Sequence, residues 1–392
     1  MTPRAKIHGP PEFIPVAEPS IGPRELKNVV AAVKSGWVSS RGEFITRFEA
    51  AFAGLHKTPH AVSVHNGTVA LHLALTALGV GPGDEVIVPT LTFVASANSI
   101  RYCGAEPVFV DCRAEDWQMD PEAVERAVTP RTKALMPVHL YGHACDMDPL
   151  IALARRKGLK VVEDAAEGLG TRYKGRLCGA MSDVACFSFY GNKIITSGEG
   201  GMCLTGDPDL FRRMAILRDH GMNPERRYWH DVVGFNYRMT NLQAALGLAQ
   251  LGRLPEFLKR RAAIAAWYDR DLAPLAGEGR LSFQPRRSWS TFNHWLYSIL
   301  LSSRETRDGL AAFLKEAGID SRPLFHPVHK FPPYDRGLSF PVAEDISARG
   351  MNLPLSPSLT RAQVRRVTNA VRRFLTEKSA PLAGAGGSAC RR

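Results

Sequence analysis

The chain has 392 residues, of which 45% are hydrophobic and 22% charged, a composition typical of a globular protein with a large buried core. Its formal net charge of +12 comes from dispersed basic residues without a basic-aromatic array, so we expect no nucleic-acid partner. The positive charge indicates either a solvated basic surface or the attraction of an anionic substrate. No apolar run approaches the ~20 residues that span a bilayer, and the first residues lack the apolar core of a signal peptide. The seven cysteines form no CxxC pair. We therefore expect a cytoplasmic protein with no membrane partner.

Short β-rich runs alternate with helical patterns from about residue 61. The candidate strands are residues 61–64, 85–89, 107–110, 133–140, 160–164 and 183–189. Alternation of this kind predicts an α/β fold in which a mostly parallel sheet is covered by helices on both faces.

The pattern changes after residue 240. Residues 241–272 predict a long helix, residues 295–301 a strand and residues 306–318 another helix. We therefore divide the chain into an N-terminal segment with a large domain (1–249), a smaller C-terminal α+β domain (250–378) and a flexible tail (379–392).

Lys193 lies in the stretch FSFYGNKIITSGEGG (187–201), between a strand with a buried appearance and a glycine-rich segment. A lysine that forms a Schiff base has to be desolvated and open to substrate. The glycines would let the backbone pass close to a flat ligand. The alternative is an ordinary surface lysine.

Two carboxylates, Glu163 and Asp164, end the strand in VVEDAAEGLG (161–170). Ligands bind at the carboxyl ends of strands in open α/β sheets, and a carboxylate there would hold the N–H of a pyridinium ring. The alternative is that Asp164 caps a helix and Glu163 is solvated.

A strand leads through Gly67 and Thr68 into an apolar helix in HNGTVALHLALTAL (65–78). Free N–H groups at a helix N-terminus bind anions, so this turn is a candidate phosphate site. The alternative is that Thr68 only caps the helix. Together, the three segments supply a phosphate anchor, a ring-nitrogen anchor and a Schiff-base lysine.

These segments resemble the nucleotide-sugar aminotransferases of pyridoxal 5'-phosphate (PLP) fold type I. The matching motifs are NGTVALHLAL, GDEVIVPTLTFVASANSI, EDAAEGLG, FSFYGNKIITSGEGG and GFNYRMTNLQAALGLAQL, in family order over about residues 12–375. The resemblance implies an aspartate-aminotransferase-like α/β fold, with a mostly parallel central sheet in the large domain and a smaller C-terminal α+β domain. It also implies PLP as cofactor, glutamate and a nucleotide-linked keto sugar as substrates, and a homodimer with shared active sites.

The resemblance also implies roles for individual residues. Lys193 is the implied catalytic residue and holds the cofactor covalently. The other implied cofactor-binding residues are Gly67, Thr68 and Ser188 (phosphate), Phe93 (ring face), Asp164 (ring nitrogen), Glu167 (near the phenolic oxygen, where many relatives carry Gln) and Asn236 (the phosphate in the neighbouring subunit).

Residues 219–243 are most similar to family members that aminate C4 of GDP-4-keto-6-deoxy-mannose with glutamate. Arg227 in this segment is a candidate to bind the diphosphate, because a guanidinium can bind two oxygens at once, and Tyr228 is a candidate to cover a base or sugar face. The alternative is a solvated loop that does not contact the substrate. The resemblance implies that His329 in HPVHKFPPY lines the sugar pocket. Members that act on 3-keto sugars or keto-inositols share most of the motifs and stay open as alternatives. PLP-dependent sugar dehydratases carry His where Lys193 stands, and a non-catalytic PLP-binding protein would be expected to lose this lysine.

We expect neither a metal nor a nicotinamide cofactor. His139, His143, Cys145 and Asp146 follow a strand, but they do not form a convincing ligand set. The pair Gly168 and Gly170 lacks the spacing of a dinucleotide-binding motif, so an NAD-dependent oxidoreductase is disfavoured.

Overall fold

The structure is a computed structural model that describes residues 13–377. The first twelve residues of the expected large domain and the tail expected at 379–392 lie outside the described residues. The helices are α1 (Pro23–Lys34), α2 (Glu43–His56), α3 (Gly67–Ala77), α4 (Ala95–Tyr102), α5 (Pro121–Ala127), α6 (Met147–Lys157), α7 (Pro208–Arg218), α8 (Asn241–Leu251), α9 (Leu254–Gly277), α10 (Arg304–Glu316), α11 (Pro341–Arg349) and α12 (Arg361–Glu377). The strands are β1 (His60–Val64), β2 (Glu85–Pro89), β3 (Glu106–Val110), β4 (Thr132–Leu135), β5 (Lys160–Asp164), β6 (Arg172–Tyr173), β7 (Arg176–Leu177), β8 (Val184–Ser188), β9 (Gly201–Thr205), β10 (Leu281–Phe283), β11 (Ser290–Thr291), β12 (Tyr297–Leu301), β13 (Arg322–Pro323) and β14 (Gly350–Leu353).

A seven-stranded sheet forms the centre of the molecule, with the strand order β1-β9-β8-β5-β4-β2-β3. All of these strands run parallel except β9, which is antiparallel to both β1 and β8. Most of their residues are apolar and buried, as expected for strands covered on both faces. The expected α/β fold with a mostly parallel sheet is confirmed.

Two elements differ from the sequence expectation. The strand expected at 133–140 ends at Leu135, two residues before Pro137, which has no N–H to donate to a neighbouring strand. The long helix expected at 241–272 is two helices, because α8 ends at the cap residue Gly252 and α9 begins with Pro255 in its first turn.

A second, four-stranded sheet has the order β10-β12-β14-β13. Its core packs side chains of this sheet against those of α9, α10 and α12. Ile14 joins this core and forms a β-bridge with Ile319, so the start of the described chain packs with its C-terminal part. Within residues 13–377, no helix is both long and apolar enough to cross a membrane.

Candidate active site

A cavity of about 510 Å³ lies at the carboxyl ends of β5 and β8, with part of its wall supplied by residues that flank the small sheet. Parallel β5 and β8 are neighbours, so the turns that follow them meet at one edge of the sheet. Seven of the predicted site residues line this cavity: Gly67, Thr68, Phe93, Asp164, Glu167, Ser188 and Lys193.

Lys193 points into this cavity and is not a surface lysine, since its side chain is only 14% exposed. Its Nζ lies 3.8 Å from Oε1 of Glu167 and 4.1 Å from the centre of the Trp295 ring. Burial lowers the pKa of Lys193, while the negative charges of Glu167 and Asp164 oppose this change. The result is an amine that loses its proton more readily than an exposed lysine.

Asp164 is the buried last residue of β5. The Ser96 hydroxyl donates to Oδ2 at 2.7 Å, and the backbone N–H of Ala166 donates to Oδ1 at 3.2 Å. Burial raises the pKa of Asp164, and the hydrogen bond from Ser96 is the largest opposing influence. The carboxylate is thus held in a fixed orientation at the cavity, where a cationic N–H of a ligand would pair with it.

Glu163 points away from the cavity because successive side chains of a strand alternate between its faces. It is fully buried, lies 2.9 Å from Nε2 of His139 and accepts hydrogen bonds from Ser182 Oγ and from the backbone N–H groups of Gly179 and Met181. The alternative of a solvated Glu163 is therefore wrong.

His139 takes part in this buried network and not in a metal site. Its Nδ1 accepts a hydrogen bond from the backbone N–H of Cys145 at 3.1 Å, so both ring nitrogens have partners. In the part of the chain that the structure describes, no three His, Cys, Asp or Glu side chains are grouped as metal ligands.

Glu167 connects Lys193 to the chain segment after β4. Its Oε2 accepts a hydrogen bond of 2.7 Å from the backbone N–H of Tyr141, which adopts a left-handed conformation with φ of 52°. Burial raises the pKa of Glu167 to about 7, and the positive charge of Lys193 opposes this rise. The carboxyl therefore gains or loses a proton near neutral pH.

The turn before α3 forms a narrow corner of the cavity. Asn66 caps α3 by accepting a hydrogen bond from the backbone N–H of Val69 at 2.9 Å, so the capping role considered for Thr68 belongs to Asn66. A Cβ atom on Gly67 would lie 2.8 Å from Cβ of Ser188, which leaves room for backbone only. The first N–H groups of the helix have no partner within it and offer donors to an anion.

Phe93 lies at the edge of the cavity and is 55% exposed. Its ring centre is 5.6 Å from that of Phe325. An aromatic face in this position is available to cover a flat ligand from one side.

Three predicted residues lie outside this cavity on exposed backbone between α7 and α8. Asn236 is exposed, and its Oδ1 accepts hydrogen bonds from Arg238. Arg227 and Tyr228 contact each other, with the guanidinium carbon 4.8 Å from the ring centre. The structure therefore does not bring these three residues to Lys193 of the same chain.

His329 was expected to line the sugar pocket, but it is fully buried and does not reach the cavity. Its Nδ1 lies 2.6 Å from Oγ1 of Thr90, and its Nε2 lies 3.1 Å from Oε1 of Glu344. Because both nitrogens have partners inside the protein, His329 links the end of β2 to α11 and has no free atom for a ligand.

The sequence analysis missed several residues that shape the cavity. Trp295 was not assigned to the site, yet its ring covers Lys193 and its Nε1 donates to the carbonyl of Asn192 at 2.9 Å. Ser96 orients Asp164 through a hydrogen bond. It lies inside the motif GDEVIVPTLTFVASANSI, so its hydroxyl could have been named in advance as a donor to the expected carboxylate. Arg322 and Phe325 reach the cavity through long-range pairing of β13 with β14, for which the local sequence carries no signal.

The cavity fits PLP by three independent features. The buried amine of Lys193 and the oriented carboxylate of Asp164 both line it. Its corner at Gly67 admits an anion against backbone N–H groups. Its volume is within the range of pockets that bind small cofactors.

Comparison with known proteins identifies the family. The model of the DegT/DnrJ/EryC1/StrS aminotransferase family matches residues 19–372. GDP-perosamine synthase of Caulobacter vibrioides is 48% identical over 366 residues, which cover 92% of this chain and 98% of that protein. The dTDP-3-amino-3,4,6-trideoxy-alpha-D-glucose transaminase of Streptomyces venezuelae is 44% identical and covers 85% of this chain and 87% of its own length.

The solved structure of the sugar aminotransferase Spr1654 from Streptococcus pneumoniae in its PLP form superposes with a TM-score of 0.88 at 30% identity, over 93% of this chain and 99% of that one. The enzyme class and the cofactor expected from the sequence are confirmed by these matches. The chain belongs to the DegT/DnrJ/EryC1/StrS aminotransferase family and is a sugar aminotransferase that uses PLP as its cofactor.

Proposed function

We propose that this enzyme transfers the amino group of glutamate to C4 of GDP-4-keto-6-deoxy-mannose, so that its product is GDP-perosamine. The similarity to the Caulobacter vibrioides GDP-perosamine synthase, 48% identical along nearly the whole of both chains, carries this proposal. The cavity supports the reaction type, because Lys193 and Asp164 both line it.

The proposed mechanism assigns proton transfer to Lys193. When bound, PLP supplies a carbonyl carbon that bonds to amines and a ring that withdraws electrons. Lys193 Nζ holds the cofactor at rest and, once released by the amino donor, removes the proton from the donor's α-carbon. The lowered pKa of Lys193 supports this role, because only a neutral amine accepts a proton.

The remaining cavity residues hold the cofactor in the proposed mechanism. Asp164 pairs with the ring nitrogen and keeps it protonated, while the backbone of Gly67 and Thr68 and the hydroxyl of Ser188 bind the phosphate. Phe93 covers one face of the ring. Lys193 would pass the proton from the donor's α-carbon on to C4′ of the cofactor, and the amino group would stay on the cofactor when the donor leaves as its keto acid. Once the keto sugar has entered the same cavity, Lys193 would move a proton from C4′ to C4 of the sugar.

The homodimer with shared active sites is part of the proposal. Asn236, Arg227 and Tyr228 are exposed and lie outside the cavity of their own chain, as expected if they serve the cavity of a second copy. The region between α7 and α8 and the surface of α1 with the residues after it also expose large apolar side chains: Leu26, Val30, Val33, Trp37, Val38, Tyr228, Trp229, Val232 and Val233. Exposed apolar side chains in such numbers mark contact surfaces.

Incubation of the purified enzyme with glutamate and a panel of GDP-, dTDP- and UDP-linked keto sugars, read by mass spectrometry, tests the substrate. We expect the GDP-linked 4-keto sugar to be aminated preferentially, and Lys193→Ala to give no product. The second candidate function is amination of a 3-keto nucleotide sugar, which the 44% identity to the Streptomyces venezuelae transaminase favours. Preference for a dTDP-linked 3-keto sugar would support it.

A further inference from the structure

Arg322 is a cation at the cavity for which the described residues supply no ionic partner. Arg322 is the first residue of β13, which pairs with β14 through Arg322↔Asn352 and Pro323↔Met351. The small sheet therefore fixes the backbone of Arg322. Within residues 13–377 the guanidinium takes part in no ion pair or side-chain hydrogen bond, although it lines the same cavity as Lys193. Its five N–H donors are therefore available to a ligand.

Acidic side chains outnumber basic ones in the lining of this cavity. The ionisable lining residues are the acids Asp164, Glu167 and Glu199 and the bases Lys193 and Arg322. Lys193 already faces Glu167 at 3.8 Å, and its amine is committed to proton transfer in the proposed mechanism. An anionic substrate that enters this pocket is therefore attracted by Arg322 and repelled by most other charges of the lining.

The size of the cavity indicates which substrate Arg322 meets. About 510 Å³ accommodates one ligand of ordinary drug size. Cofactor and a five-carbon dicarboxylate share this space, whereas a complete nucleotide diphosphate sugar has to leave its nucleotide outside. Arg322 is thus positioned to bind the small amino donor, whereas the exposed Arg226 and Arg227 are candidates to bind the diphosphate.

We propose that Arg322 binds a carboxylate of the amino donor and thereby makes the enzyme selective for amino acids over plain amines. The planar guanidinium donates two parallel hydrogen bonds to the two carboxylate oxygens, a geometry that a lysine does not reproduce. This inference rests on the proposed transamination in this cavity.

The test is a spectral titration of the PLP-loaded enzyme with succinate, an unreactive dicarboxylate, together with single-turnover reactions with glutamate followed by cofactor absorbance. Arg322→Gln is expected to raise the Kd for succinate and the half-saturating glutamate concentration by about 10- to 100-fold, the effect of losing charge-assisted hydrogen bonds. The maximal single-turnover rate should change much less. Arg322→Lys should recover part of the affinity because it keeps the positive charge, and a retained single-turnover rate shows that Arg322→Gln folds.

Arg304→Gln is the matched control, because Arg304 is exposed on α10 and pairs with Asp308 at the surface. It should bind succinate like the parent enzyme. Alanine, which has only an α-carboxylate, and 4-aminobutyrate, which has only a distal one, identify the carboxylate concerned: the donor that loses affinity in Arg322→Gln carries it.

Unchanged succinate and glutamate binding in Arg322→Gln would overturn the proposal. Weaker binding of GDP with unchanged succinate binding would also overturn it, and would make Arg322 a diphosphate site. If the parent enzyme does not react with glutamate, the proposed function fails, while succinate binding still reports on Arg322.

Discussion

Glu163 and Glu167 are two buried carboxyls, four residues apart, whose pKa values move in opposite directions on folding. We predict that Glu167→Gln stabilises the cofactor-free protein at high pH and not at low pH. The gain appears because the folded protein holds an ionised Glu167 in a buried position, whereas the unfolded chain exposes it to water. Glutamine keeps the shape and has no charge.

The magnitude follows from the pKa of about 7, compared with 4.5 for an unperturbed glutamate. The difference of about 2.5 pH units corresponds to about 3–4 kcal/mol at about 1.4 kcal/mol per unit. Because the folded-state pKa is raised, the stability that protonated Glu167 contributes to the parent protein is fully present below pH 4.5 and is lost as the pH rises through 7. The attraction of Lys193 is already contained in this pKa, so we expect a gain of at most about 3–4 kcal/mol above pH 8.

Urea unfolding at pH 5.0 and pH 8.5 measures this effect, with the difference between variant and parent compared at the two pH values. Glu163→Gln is the control. Burial alone would raise the pKa of Glu163, but hydrogen bonds from His139, Gly179 and Ser182 outweigh it and lower the pKa. This control should destabilise the protein at pH 8.5, and its effect should shrink as the pH falls through the folded-state pKa. An equal effect of Glu167→Gln at both pH values, or destabilisation at pH 8.5, would refute the reasoning.

Other substitutions test the proposed roles at the cofactor and the substrate. Asp164→Asn should lower turnover by orders of magnitude while PLP still binds; a twofold loss would leave Asp164 with a structural role only. Gly67→Ala places a Cβ 2.8 Å from the facing serine, so PLP affinity should fall and stability should drop by about 1–3 kcal/mol, as measured by cofactor absorbance and urea unfolding. Lys193→Ala and Asn236→Ala subunits, each inactive alone, should regain partial activity when mixed and reassembled, and full activity of a dilute monomer would contradict shared sites. Arg227→Ala should raise the KM for the nucleotide sugar and leave the glutamate half-reaction unchanged; equal impairment of both half-reactions, or of neither, would remove this residue from the substrate site.

The sequence predicted the parts of the fold and site that depend on local pattern. Strands β2 and β5 begin and end at the expected residues, because a run of buried β-branched residues between turn residues has few other interpretations. Asp164 and Lys193 could be brought together in advance, since the first ends a strand and the second follows a neighbouring parallel one.

Features that depend on distant partners escaped the sequence analysis. The five residues of β9 are recognisable only once β1 and β8 are seen on either side of them. His329 looked like a ligand-binding residue, but its partners could not be inferred from its own neighbours: Thr90 directly follows β2 and Glu344 belongs to α11. Arg322 enters the cavity only through the pairing of β13 with β14.

The reversed direction of β9 has a consequence for the order of folding. Since β8 and β9 are antiparallel neighbours, the segment that carries Lys193 is the connection of a hairpin, and closing it requires contacts only within residues 184–205. The tryptophan that covers this lysine comes from about a hundred residues later in the chain. Contacts between nearby residues form faster than contacts that close long loops. A refolding chain therefore presents Lys193 before Trp295 covers it, so during that interval the amine is exposed to solvent and only the later burial lowers its pKa.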